Sequence, residues 1–244
     1  MNILVFDIET SPIEARVWSL REQRIGLNQI TKPSRVISMA YALHHLPVRF
    51  LAEWKGGHES MIRTAHHLLD NADAVVHYNG RRFDVPHLNR EFVEIGLNPP
   101  SPFKQIDLWR VVSSKFNFPS NKLEYVASEL LEHEKIRTDM GLWNRVIAGD
   151  KTAQAEMEKY NLRDVELTDE LYTLLLPWID RHPNVGLYVP SDAPTCTACS
   201  STNVQKRGYA YTNAGKFQRY ACGDCGRWLR GASRIETTPL REAL

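Results

Sequence analysis

Asp7 and Glu9 stand two residues apart at the end of an apolar run, in ILVFDIET. Residues two apart in a strand share a face, so both carboxylates project together. Side by side they repel unless a cation lies between them. Asp164 follows Tyr160 by four residues in YNLRD, one helical turn on, close enough to share a bound water. Asp84 closes HYNGRRFD, at an expected junction of strand and helix. Such oxygen donors suit a hard divalent ion. Each acid also has a plain alternative. Asp7 and Glu9 fit a strand emerging into solvent, Asp84 fits a helix N-cap, and Asp164 fits a core-rim acid satisfied by an arginine with Tyr160 as packing.

The four cysteines form a second set, Cys196-x2-Cys199 and Cys222-x2-Cys225. The 22 residues between the pairs slightly exceed the roughly 15–20 usual for this pattern. Two such pairs predict a tetrahedral, structural Zn²⁺ site, with Gly223 and Gly226 easing the second turn. A segment this small builds little core, so the metal would supply its folding energy. Two disulfides are the alternative. From Pro194 to Arg234 seven basic residues face one acid, a net charge of +6, which leaves −5 for the rest of a chain whose total is +1. Tyr209, Tyr211, Phe217, Tyr220 and Trp228 are interleaved with Lys206, Arg207, Arg219, Arg227 and Arg230. That mixture suits phosphate contact and base stacking; protein docking or a purely structural role is the alternative.

The elements that must hold these groups follow from periodicity. Ile3–Phe6 reads as a strand buried on both faces. Val36–Leu43 and Val48–Trp54 read as strands joined through His44–Pro47. Helices are expected over Glu59–Leu69, Val85–Ile95, Asp107–Lys115, Leu123–Leu131 and Leu142–Ile147, with a short strand at Ala74–His77. A long helix is expected from about Thr152 to Leu176, N-capped by Asp150 and ended by Pro177. Its face Tyr160, Asp164, Leu167, Leu171, Leu175 and Trp178 is apolar except at its start. Gln205–Thr212 and Lys216–Ala221 read as β. Together these predict an α/β domain over 1–182 built on a mixed sheet flanked by helices. A proline-rich linker follows at 183–193, then a zinc module at 194–234 and a tail at 235–244. Asp107 in QIDLW is expected to be structural, as is His77. His44, His45, His66, His67 and His133 show no consistent metal spacing.

Hydrophobic content of 43% and charged content of 24% fit a globular protein, and no apolar run reaches membrane-spanning length. The opening MNILVFDIET lacks a basic leader and cleavage site. A cytoplasmic, reducing setting without membrane association is therefore expected, and it favours metal over disulfides.

The ordered set DxE, NxxxFD and YxxxD resembles the DEDDy branch of the DnaQ-like exonucleases, within the RNase H-like superfamily. More closely, it resembles stand-alone relatives of the proofreading domain of family B DNA polymerases, and the likeness covers roughly residues 1–180. It implies that Asp7, Glu9, Asp84 and Asp164 hold two divalent ions, Mg²⁺ or Mn²⁺, and that Tyr160 orients the attacking water. Asn79 would contact substrate, and Phe83 would wall the pocket or stack on a base. The implied activity is 3′–5′ removal of nucleotides from nucleic acid, with single-stranded DNA favoured over RNA and replication or repair proteins as possible partners. An exonuclease joined to a zinc ribbon also resembles proteins carried by bacteriophages, which would place it in the host cytoplasm. An RNA-directed nuclease and a non-catalytic nucleic-acid adaptor are the alternatives.

Overall fold

The computed structural model describes residues 1–19, 21, 24–131 and 139–240. His133 lies outside them. The chain forms two compact units, Asn2–Tyr172 and, apart from Met1, Thr173–Leu244.

The first unit opens with β1 (Ile3–Thr10), followed by the short strands β2 (Glu14–Ala15) and β3 (Ile30–Lys32) and by β4 (Val36–Leu43) and β5 (Arg49–Ala52). Then come α1 (Glu53–Gly56), α2 (His58–Asp70), β6 (Ala74–His77), α3 (Asp84–Glu94), β7 (Lys104–Asp107) and α4 (Leu108–Lys115). The helices α5 (Leu123–Leu131), α6 (Met140–Ile147) and α7 (Lys151–Leu175) follow. The expected strand Val48–Trp54 ends at Ala52, because Glu53 begins α1 and its carboxylate pairs with Arg35 at 2.7 Å. Asp150 caps α7 as expected, accepting from the Thr152 amide at 2.8 Å.

The main sheet has the order β5-β4-β1-β6-β7. β1 is antiparallel to β4 and parallel to β6, so the sheet changes sense at β1. Side-chain alternation assigns the two faces. Leu4, Phe6 and Ile8 pack with Met61, Ile62, Leu88 and Phe92 of α2 and α3. Ile37 packs with Leu142, Val146, Ala153 and Met157 of α6 and α7. This is the expected mixed α/β architecture.

The second unit contains a turn of 3-10 helix at Leu176–Trp178 and the antiparallel sheet β8 (Val204–Thr212), β9 (Gly215–Cys222) and β10 (Trp228–Thr237). β10 takes in Ile235–Thr237, which the sequence suggested were tail. Residues 183–193 are not wholly extended: Val185–Tyr188 form a 3-10 turn, and the Val185 amide donates to the Thr197 carbonyl at 2.8 Å.

Candidate functional site

β1 carries two carboxylates to the site because it outruns its neighbour. Its parallel pairing with β6 ends at Val5↔Val76, whereas pairing with β4 continues to Thr10. The Ile8 amide on the open side still needs an acceptor. Asp84 supplies one, its Oδ1 accepting from Ile8 N at 3.1 Å. Asp84 reaches it through a tight turn after β6. Asn79 adopts a left-handed φ of 66°. Gly80 sits so close to His77 that an added Cβ would lie 2.5 Å from the imidazole Cγ, so only glycine fits. Farther along α3, buried Glu91 accepts from the Val36 amide at 2.8 Å. Two acids thus pin α3 to β1 and β4.

α7 supplies the rest. Asp7, Glu9 and Asp164 bring one carboxylate oxygen each to within 4.8 Å of one another. Asp84 lies close enough to both β1 acids to raise their pKa values. Burial, then the neighbouring Asp84, Glu9 and Asp164, push Asp7 well above its usual range. Burial followed by Asp164 and Asp84 lifts Glu9 to about 8. Burial, opposed by the Ile8 amide, holds Asp84 near about 7. Burial raises Asp164 to about 6 against the Tyr160 hydrogen bond. Tyr160 is itself pushed far upward by burial and then by Asp164, so its hydroxyl stays protonated and donates to that carboxylate. Among the described residues no arginine forms an ion pair with Asp164; Arg163 is near enough to lower its pKa but pairs with Glu166 and Glu170. Four crowded acids without a lysine or arginine among them fit a hard divalent cation, which would replace the protons the crowding retains.

Two supporting residues escaped the sequence reading. Asn161, fully buried, donates to Asp7 Oδ2 at 2.7 Å and accepts from Ser38 Oγ at 3.2 Å. Its signal was a polar residue in the i, i+4 row Met157, Asn161 and Val165, where apolar side chains are buried on either side. Trp143 of α6 hydrogen-bonds Glu9 and meets Tyr160 edge-on at 6.1 Å. Nothing local in the sequence marked it. Phe83 is 41% exposed at the start of α3, with its ring 4.4 Å from His87. Asp107 accepts from the amides of Asn79 at 2.9 Å and Trp109 at 3.2 Å and lies near enough to Asp84 to raise its pKa. His77 is fully buried and packed. His44 and His45, without metal spacing in sequence, meet Asp169 of α7. Asp169 bonds His44 Nδ1 directly and accepts from the His45 amide at 3.2 Å.

The four cysteine sulfurs lie within 4.8 Å of one another, with Cys196–Cys225 and Cys199–Cys222 at 3.6 Å and no disulfide. Sulfurs bound to one tetrahedral metal at about 2.3 Å would stand about 3.8 Å apart, so the set fits. The knuckles are alike. Ser200 and Gly226 have φ of 57° and 76°, and each amide donates to the carbonyl of the cysteine four residues back. Burial pushes the Cys222 thiol up, but the amides of Cys225 and Asp224 together with the thiols of Cys199 and Cys225 bring it down to about 7, while burial lifts Cys225 to about 11. A thiolate at Cys222 is a ready ligand. Of the expected nucleic-acid contacts, Lys206 and Arg207 lie on β8, Arg219 on β9 and Trp228 on β10. Arg227 differs: its Nη1 donates to the Leu176 carbonyl at 2.9 Å, where a helix end needs donors.

Residues 4–176 match the family model described as the RNase_H superfamily, and the chain belongs to that family. The structure is similar to the family B DNA polymerase from the hyperthermophilic archaeon Pyrobaculum calidifontis, with a TM-score of 0.55 and 20% identity. The match covers 72% of this chain and 24% of the polymerase, so this chain spans about a quarter of that protein's length. No curated protein matches. Among the described residues no helix is long and apolar enough to cross a membrane.

Proposed function

We propose that this chain is a DEDDy-type 3′–5′ exonuclease that hydrolyses the terminal phosphodiester of nucleic acid, with single-stranded DNA as the favoured substrate. The observation that carries this reading is the meeting of Asp7, Glu9 and Asp164 within 4.8 Å, with Tyr160 bonded to Asp164. Asp7, Glu9, Asp84 and Asp164 would hold Mg²⁺ or Mn²⁺. Bound there, such ions lower the pKa of water and neutralise charge on a phosphoryl group. Asn161 fixes the rotamer of Asp7, and Trp143 does the same for Glu9. The neutral Tyr160 hydroxyl is available to orient a water beside Asp164. Asn79 and Phe83 are proposed to meet the substrate. The cysteine unit, as a zinc ribbon, is proposed to hold the polymer.

End-labelled single strands with Mg²⁺ or Mn²⁺ should release mononucleotides from the 3′ end. Internal cuts would contradict the reading. Matched DNA and RNA oligomers, digested side by side, decide the sugar.

A further inference from the structure

We infer that one face of the β8–β9–β10 sheet is a binding surface for single-stranded, base-bearing nucleic acid, built from Trp228, Arg219, Arg230 and Arg234; this rests on the proposed nuclease reading. Strand register sorts the basic residues in a way the sequence does not. Trp228 lies opposite Ala221, Arg230 opposite Arg219, and Arg234 opposite Phe217. Residues directly opposite share a face, and so do residues two apart where the register is unbroken; on β10 it shifts between Arg230 and Arg234 and again between Arg234 and Glu236. Trp228, Arg230, Arg234, Phe217 and Arg219 therefore lie together. Lys206, Tyr209, Tyr211 and Lys216 take the reverse face with Tyr220, Gln218 and Glu236.

The two faces differ in charge balance. On the reverse face Lys216 pairs with Glu236 at 3.0 Å. On the arginine face, among the described residues, none of Arg219, Arg230 and Arg234 has a carboxylate partner, and Arg207, two residues after Gln205 and bonded to its side chain at 3.0 Å, adds a fourth guanidinium. Arg219 and Arg230 even stand directly across from each other, and like charges so placed are destabilising. A polyanion resolves that conflict. The arginines also lie over rings: Arg219 Cζ is 4.9 Å from the Trp228 ring centre and Arg230 Cζ is 4.3 Å from that of Phe217. Phe217 is covered at 8% exposure, whereas Trp228 is 60% exposed and so keeps a free ring surface. The arrangement offers one open stacking plane flanked by the phosphate-binding forks of Arg219, Arg230 and Arg234. A duplex hides its base faces and cannot use the plane.

The test uses the full chain carrying Asp7→Ala, so that substrate survives, and follows anisotropy of labelled oligo-dT and of an abasic strand of equal length. Trp228→Ala should weaken oligo-dT roughly tenfold, within the range of one lost base stack, and leave the abasic strand unchanged; Trp228→Phe should restore much of the loss. Arg219→Ala or Arg230→Ala should lower the salt slope by about 0.7 each. Lys206→Ala, an equal charge loss on the reverse face, should cost less. Equal affinity of the Asp7→Ala chain, with Trp228 intact, for abasic and dT strands would overturn the stacking plane, and a Lys206→Ala loss matching that of Trp228→Ala would overturn the choice of face. Should either occur while the unmutated enzyme still trims 3′ ends, this surface alone fails. If the unmutated chain neither binds nor trims any strand, the nuclease reading fails and the surface falls with it.

Discussion

Two of the clusters of candidate ligands among the described residues, the cysteines and the carboxylates, are assembled in opposite ways. The cysteines come as two CxxC pairs, one before β8 and one at the β9–β10 turn, beside one small antiparallel sheet in a unit with few buried side chains. The carboxylates come from β1, the start of α3 and the middle of α7, in a unit whose core is complete on both sides of its sheet. Metal should therefore be a folding requirement for the first cluster and a functional one for the second. In the α/β unit the fold even opposes its own site, because packing forces four acids together.

The contrast breaks most visibly through activity. Asp7→Ala or Asp164→Ala should reduce cleavage by roughly a thousandfold or more, while thermal melting stays level or rises because a buried repulsion is relieved. A lower melting temperature would show that these acids serve the fold instead. Cys222→Ser should do the reverse. It should release zinc and make the 194–240 segment sensitive to protease, while short-oligomer turnover persists. A protease-resistant segment after zinc loss would erase the proposed difference.

Asn161→Ala sharpens the comparison from within the α/β unit. Loss of the bond to Asp7 should cost about 10–100-fold in metal affinity or turnover, as is usual when a residue orienting a ligand is removed. A smaller effect is expected from pH. Without Mg²⁺ or Mn²⁺, Glu9, Asp84 and Asp164 keep protons up to about 8, 7 and 6 in the folded protein, against ordinary values of 4.5, 3.8 and 3.8. The folded state then binds more protons than the unfolded one, so stability should fall as pH rises from about 4 to 8. Divalent cation should flatten that slope. Melting curves at pH 5 and 8, with and without Mg²⁺, check the sign. A metal-free protein more stable at pH 8 would contradict it.

The same contrast explains how much could be read from the sequence. The cysteine pairs are legible because their spacing is local. β1, β4 and α7 are legible because their apolar patterns are long. The four acids were singled out by motif order, and the approach of Asp7, Glu9 and Asp164 depends on strand lengths that no motif records. Asn161 and Trp143 escaped because each is defined by what lies across from it. β10 escaped because it is mostly exposed and alternates weakly, with only Leu229 and Gly231 partly covered. The meeting of His44 and His45 with Asp169 was invisible for a related reason: the partners lie 124 and 125 residues apart in sequence.

Asp84 has two duties, satisfying the Ile8 amide and adding negative charge to the site, and they can be separated by exchanging an oxygen for a nitrogen. An asparagine at 84 keeps a carbonyl oxygen for Ile8 while surrendering the charge. Asp84→Asn should therefore give a folded, substrate-trapping form suited to capturing a bound strand terminus, where alanine would leave the amide of Ile8 bare.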